Sequence, residues 1–268
     1  MMTADEIQQA AASLEQAELT RQQVALLSQT YPSMDMQDAY RIQDAWVQRK
    51  IASGDPQVGL KIGLTSRAMQ QALNITTPDS GVLLESMRIQ DGEVIAADRF
   101  IAPRIEAELA FIMKADVSPN PSLYEVLNAT DFVVPALEVL DTRVQRKDAK
   151  TGQMRNVYDT IADNAANAGF LLGGKPIRVD NLDLRWIGAI VSVNGQVEET
   201  GLAAGVMNHP AQGLVWLAQR LATYGEAIRA GQVVLSGSFI RPLEAPPGTT
   251  ITADYGPLGT ISCHFAQG

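Results

Sequence analysis

Three acidic side chains of this sequence sit where a solvated surface would not place them. Arg104-Ile-Glu-Ala-Glu-Leu-Ala-Phe-Ile-Met113 has the alternation of a β-strand. Glu106 and Glu108 then point to one side, about 7 Å apart along the strand, and Ile105, Ala107, Leu109 and Phe111 to the other. Ala110 and Ile112 continue the acid-bearing face, so these carboxylates are expected among hydrocarbon. Phe132-Val-Val-Pro-Ala-Leu-Glu-Val-Leu140 carries one charge, Glu138, on a face shared with Val134, Ala136 and Leu140. A buried carboxylate needs a partner, and one divalent cation can serve several at once. Oxygen donors with no nearby His or Cys favour a hard ion, Mg²⁺ or Mn²⁺, over Zn²⁺. Structural ion pairs with Arg104, Arg143 or Lys61 would also satisfy the acids, and the pattern alone leaves both readings open.

Other residues carry weaker signals. In Val58-Gly-Leu-Lys-Ile-Gly-Leu-Thr65, Lys61 lies inside an apolar run between Gly59 and Gly63. Such a lysine either snorkels to an edge or is held near an anion, and the glycines permit close approach of a backbone or ligand. Thr76-Thr-Pro-Asp-Ser-Gly81 reads as a turn, with Asp79 beside Pro and Gly as a turn former. Asp141 to Tyr158 is polar and basic, with Arg143, Arg146, Lys147, Lys150 and Arg155, and reads as a long loop or flap. The small residues of the segment from Asp159 to Gly169 allow tight packing, and Thr160, Asp163 and Asn164 within it need partners if buried. His209 reads as a capping or packing residue, since no second ligand lies near it in sequence.

The elements that must position these groups alternate between helix and strand. Apolar spacing predicts a helix over 4–30, another over 36–53 closed by Gly54, and a third over 66–74. Short strands follow from Val82 to Ile112 with a hairpin turn at Asp91-Gly92. Ser122-Leu-Tyr-Glu125 is a capping box that opens a short helix. Ile187–Val193, Asn194-Gly195 and Gln196–Thr200 form a strong hairpin signal. Asn208-His-Pro210 starts a helix with Asn208 as its cap, and strands at 232–239, 249–255 and 260–265 end the chain. The mixture is α+β, with a mixed, curled sheet and helices outside it.

With 268 residues, 46% of them hydrophobic, the chain can form one large core with a helical extension. The net charge of −9 and the scattered basic residues argue against nucleic acid as a partner. An anionic small molecule stays compatible, because a local cation can reverse the field. The lone Cys263 leaves no disulfide framework and no thiolate cluster, and is expected as a small hydrophobe in a strand. No apolar run is long enough to span a bilayer and no secretory signal is evident, so no membrane partner is expected and the cytoplasm is the expected compartment.

Lys61-Ile-Gly-Leu-Thr65, Pro78-Asp79, Pro103-Arg-Ile-Glu106-Ala-Glu108, Pro135-Ala-Leu-Glu138, Asp163-Asn-Ala-Ala166, His209-Pro210 and Gly259…Ile261-Ser262 follow one another in a specific order and spacing. Together they resemble the hydratase/decarboxylase branch of the fumarylacetoacetate-hydrolase superfamily, from about residue 12 to about residue 265. The resemblance implies a β-roll in one catalytic domain, with a helical region at 1–57 and a β-rich core at 58–268. It implies Glu106, Glu108 and Glu138 as ligands of Mg²⁺ or Mn²⁺, and Lys61 and Asp79 as catalytic groups. Thr160, Asp163 and Asn164 are implied near the substrate, and a homo-oligomer, often a decamer in relatives, is implied as the assembly. Decarboxylases of the branch usually lack an acid at the place of Asp79, which sides this chain with the hydratases. The long basic segment 142–157 sides it with those acting on a seven-carbon dicarboxylate, with Arg143 and Arg155 as holders of the second carboxylate. The implied activity is metal-dependent addition of water to an unsaturated 2-oxo dicarboxylate in aromatic-compound catabolism. Hydration of 2-hydroxypentadienoate and decarboxylation of 4-oxalocrotonate are the alternatives. Ser80 stands where relatives commonly carry an aromatic residue, and the missing apolar surface implies a wider pocket or a relaxed specificity.

Overall fold

The acid-bearing runs become adjacent strands at the centre of a mixed sheet. The computed structural model describes residues 1–66, 70–71 and 75–268. Its first sheet contains β1 (Gln57–Gly63), β2 (Asp79–Leu84), β3 (Arg88–Ile89), β5 (Arg104–Met113), β6 (Thr130–Leu140), β7 (Asn167–Leu172) and β10 (Val233–Leu235). They lie in the order β2-β1-β10-β5-β6-β7-β3, and β11 (Leu243–Glu244) also pairs with β5. The second sheet runs β4-β13-β12-β8-β9. Its members are β4 (Val94–Ile95), β8 (Gly188–Val193), β9 (Gln196–Leu202), β12 (Thr250–Asp254) and β13 (Thr260–Phe265). The β1–β10, β3–β7 and β4–β13 pairs are parallel, and the others are antiparallel.

Strand alternation divides the first sheet into two buried faces. Leu60, Ile62, Ile105, Leu109 and Phe111 pack in one core with Val191, Ile251, Ile261 and Cys263 of the second sheet. Ala110, Val134, Ala136 and Leu235 face a second core built with the N-terminal helices, including Leu14, Ile42 and Trp46. Those helices are α1 (Ala4–Thr20), α2 (Leu27–Thr30) and α3 (Met36–Ala52), followed by α4 (Leu123–Ala129), α5 (Val157–Ala162) and α6 (Gln212–Ala222). No helix among the described residues is long and apolar enough to cross a membrane.

Several local expectations change. The single helix expected over 4–30 ends at Arg21, whose φ of 57° breaks the helical path. Val24 is instead drawn into a bridge with Val144, donating to Arg143 O (2.8 Å) and accepting from Gln145 N (2.9 Å). The Asp91-Gly92 turn is not a hairpin: it hands the chain from β3 in one sheet to β4 in the other. The turn expected over 76–81 is a strand from Asp79 onward, paired with β1. Helix α6 begins at Gln212, and the His209 ring, not Asn208, accepts a backbone N–H there, from Ala211 (3.1 Å). The helix expected over 66–74 falls outside the described residues. The Ser122–Glu125 capping box, the β8–β9 hairpin with Asn194 and Gly195 at positive φ, and the buried Cys263 match the sequence reading.

Candidate active site and metal centre

Register brings the three acids together. Glu106 on β5 lies directly opposite Glu138 on β6, and Glu108 lies opposite Ala136. Directly opposed residues project to the same side of a sheet. A carboxylate oxygen from each of Glu106, Glu108 and Glu138 lies within 4.8 Å of the others. Glu108 and Glu138 are fully buried, and Glu106 is part-buried at a cavity wall. Tyr255 clamps this stretch of ladder, its hydroxyl accepting from Glu108 N (3.2 Å) and donating to Ala136 O (2.6 Å).

Each buried acid has one oxygen held by the protein and one left over. Glu108 Oε2 accepts from Gly237 N (2.8 Å). Glu138 Oε1 accepts from Asn167 Nδ2 (2.7 Å) and from Lys61 Nζ (3.1 Å). Glu108 Oε1 and Glu138 Oε2 are buried without a partner among the described residues. Orphaned anionic oxygens are costly, and a hard divalent cation is the group that this all-oxygen donor set fits. Burial and then the Glu138 charge push Glu106 up to about 8, and the same causes push Glu108 well above the usual carboxylate range. Burial alone would lower the affinity of Lys61 for its proton, but Glu138, Asp79, Glu106 and Glu108 outweigh it and hold the ammonium charged.

Lys61 is buried in β1 rather than snorkelling to an edge. Gly63, two residues on, is paired with Asp79 of β2. A Cβ at Gly63 would stand 2.2 Å from Asp79 Oδ1 and 3.1 Å from Lys61 Nζ, so the missing side chain makes room for the carboxylate. Asp79 Oδ1 is buried and has no partner among the described residues. Burial raises the pKa of Asp79 against the opposing pull of Lys61. A carboxylate with a free oxygen and raised proton affinity is suited to general-base work.

Asn164 holds β2 in place. Its Oδ1 accepts from Val82 N (2.8 Å) and its Nδ2 donates to Val82 O (2.9 Å). Asn164, Ala165 and Ala166 have φ of 52°, 49° and 60°. A left-handed residue with a Cβ costs about 1–2 kcal/mol, and such strain gathers at functional sites. Ala165 and Ala166 line the same cavity of about 940 Å³ as Lys61, Asp79, Glu106, Thr160 and Arg155.

Arg143 and Asp163 do not line that cavity. They form a buried ion pair through Arg143 Nε and Asp163 Oδ1, and Arg143 Nη2 donates to Asp163 O (2.8 Å) and Asn167 O (3.0 Å). The Arg143 guanidinium also stacks 5.1 Å from the Trp46 ring centre. Arg143 thus braces Asn167, which in turn holds Glu138. The basic segment is a loop, as the sequence reading expected, exposed over most of 147–154 and pinched into a short hairpin by one isolated bridge between Lys147 and Met154, with Arg155 N donating to Arg146 O (3.0 Å). The sequence reading missed Asn167, which lies inside the 159–169 stretch it marked as polar and small. It also missed the Gly237 amide and Tyr255, for which the sequence carries no signal.

The solved 4-oxalocrotonate decarboxylase from Pseudomonas putida G7, complexed with magnesium and adipate, matches this structure with a TM-score of 0.93 at 34% identity, covering 99% of each chain. The chain belongs to the hydratase/decarboxylase branch of the fumarylacetoacetate-hydrolase superfamily. A 2-oxo-hept-4-ene-1,7-dioate hydratase of Escherichia coli is 53% identical over 253 residues, covering 94% of this chain and 95% of that protein. A 2-keto-4-pentenoate hydratase of Paraburkholderia xenovorans (strain LB400) is 36% identical over 265 residues, covering 98% and 96%. No family model matches the chain.

Proposed function

We propose that this chain is a hydratase, dependent on Mg²⁺ or Mn²⁺, that adds water to 2-oxo-hept-4-ene-1,7-dioate to give a 4-hydroxy-2-oxoheptanedioate. The observation that carries the reading is Asp79, whose buried Oδ1 has no partner among the described residues and whose side chain lines the cavity that also holds Lys61 and Glu106. Similarity to the Escherichia coli hydratase supports the substrate, and the Pseudomonas putida enzyme complexed with magnesium supports the ion.

Glu106, Glu108 and Glu138 would hold the ion, which when bound supplies a Lewis acid for the substrate's 1-carboxylate and 2-oxo oxygens. Lys61, fixed by Glu138, donates hydrogen bonds to the substrate carboxylate and balances the charge of the acids. Thr160 offers its hydroxyl to the bound substrate. Asn164 and the Arg143–Asp163 pair position the strands and do not touch the substrate. In the reaction a proton leaves C3 and one arrives at C5, which moves the double bond to C3=C4 in conjugation with the ketone. Asp79 then takes a proton from water as its oxygen bonds C4, and a proton returns to C3. Atoms balance as one water added.

The reading includes a homo-oligomer, with a decamer as one form. The exposed Trp186, Ile190 and Leu202 on and beside the second sheet support it, and light scattering measures it.

The test is ultraviolet-monitored turnover with Mg²⁺ of 2-oxo-hept-4-ene-1,7-dioate, 2-hydroxypentadienoate and 4-oxalocrotonate, with and without EDTA. Metal-dependent loss of the heptenedioate, fastest of the three, is expected. Release of CO₂ from oxalocrotonate as the main reaction would instead make the chain a decarboxylase.

A further inference from the structure

We infer that Arg104, Arg146 and Arg155 form the seat of the substrate's second carboxylate and set a preference for dicarboxylates over monocarboxylates. The inference rests on the proposed substrate for its biological meaning, and on the cluster's geometry for its existence.

Placement comes first. Arg104 stands two residues before Glu106 on β5, on the same face, displaced about 7 Å along the strand. From the start of β5 inward, that face carries Arg104, Glu106 and Glu108 in turn, a cation followed by the two acids. Arg146 and Arg155 come from the facing arms of the 142–157 hairpin, where Arg155 N donates to Arg146 O, so their side chains share a side. All three arginines line the cavity that contains Lys61, Asp79 and Glu106. The step from Glu106 to Arg104 is comparable to the reach of an extended seven-carbon chain.

The cluster is also under-satisfied. Like charges opposed across a hairpin repel, so a bare Arg146–Arg155 pair is unfavourable without an anion. Among the described residues, the one carboxylate within ion-pair distance of the three is the exposed Glu244, 2.9 Å from Arg104 Nη2. Arg146 Nη2 donates to Ala102 O (2.8 Å) and Arg155 Nη1 to Thr142 Oγ1 (2.9 Å). Arg104 Nε and Arg146 Nε are buried with no acceptor among the described residues. A guanidinium carries five donors in a fork suited to a carboxylate, so most of this set stays open to a ligand. Burial, then the neighbouring Arg104 and Arg155, depress Arg146 to about 10, a penalty that a bound carboxylate would relieve. Arg143, nearby in sequence, is locked by Asp163 and has no part in it.

The test uses the Mg²⁺-loaded full chain with R104Q, R146Q, R155Q and the conservative R146K. Each charge-assisted hydrogen bond lost should cost about 1.5–3 kcal/mol, roughly tenfold to a hundredfold in affinity. The KM ratio of heptenedioate to 2-hydroxypentadienoate should therefore rise at least about tenfold in each Gln variant, with part of the loss restored in R146K. Calorimetry with adipate and hexanoate gives a readout independent of turnover, and circular dichroism identifies any variant that misfolds. Wild type should bind adipate more tightly than hexanoate, and the Gln variants that fold should lose that difference. Equal binding of the two acids by wild type, or an equal KM rise for both substrates, would overturn the inference. Arginine-dependent adipate preference in a protein that does not hydrate the heptenedioate would sustain the subsite and overturn the proposed substrate.

Discussion

Lys61 Nζ lies 3.1 Å from Glu138 Oε1, and both side chains are buried. The contact joins the group proposed to bind the substrate's carboxylate to a proposed ligand of the ion, so neither can move alone. Removing one partner of a buried pair leaves the other as an uncompensated charge and costs about 3–5 kcal/mol. Lys61→Met should lower the melting temperature by roughly 10 °C in metal-free protein and abolish turnover. Scanning calorimetry reads the first effect, and a melting temperature like that of wild type would contradict the pair.

Asp79 lies outside the acid triad, and its proposed part is in the chemistry and not in holding the ion. Asp79→Asn should lower kcat by about 10²–10⁴-fold while Mn²⁺ affinity, read by electron paramagnetic resonance, stays near the wild-type value. A parallel loss of metal binding would place Asp79 among the ligands.

Gly63 tests the same oxygen by sterics. Its added Cβ would come within 2.2 Å of Asp79 Oδ1, so Gly63→Ala must displace that carboxylate. Gly205 has nothing within 4 Å of its added Cβ and serves as the control. Turnover should fall at least about tenfold in Gly63→Ala and hold in Gly205→Ala. Similar rates in the two would mean that Asp79 is not the base.

The acid triad was legible in the sequence because a period of two puts single charges among apolar neighbours, and the strands formed where that pattern ran longest. The strand at Asp79 was not, because Pro-Asp-Ser-Gly has the chemistry of a turn and becomes a strand only by pairing with 57–63. Likewise Val24 left its helical pattern for a bridge to Val144, a partner that no local window contains. The basic hairpin has no apolar alternation to announce it. That is why Arg143 was grouped with Arg155, although a long-range contact with Asp163 takes it out of the cavity.

Metal-free protein should lose stability as pH rises. Glu106, with an ordinary value near 4.5, is held at about 8 in the folded chain, and burial with the neighbouring Glu138 also pushes Glu108 well above its ordinary range. Between those values the folded state binds more protons than the unfolded state, so the contribution is full below pH 4.5 and is lost as pH rises through about 8. Ligand carboxylates must be deprotonated to hold a cation, so the stabilisation by Mg²⁺ should grow over the same window. Melting curves at pH 5.5 and 8, with EDTA and with Mg²⁺, should show the larger metal effect at pH 8. An effect of equal size at both would separate metal binding from these acids.

Arg143 and Arg146 lie three residues apart in sequence and should fail in opposite ways. Arg143 is buried against Asp163, Asn167 O and the Trp46 ring, so Arg143→Met strands the Asp163 charge and should cost about 3–5 kcal/mol of stability. Because it does not line the cavity, the KM ratio of heptenedioate to pentadienoate should stay near that of wild type in whatever fraction folds. Arg146→Gln removes a guanidinium already repelled by Arg104 and Arg155, so it should leave the melting temperature nearly unchanged or raise it slightly. Its KM ratio should nevertheless shift. Thermal melts and paired kinetics on the two variants give four readings, and a reversed pattern would return the second carboxylate to Arg143.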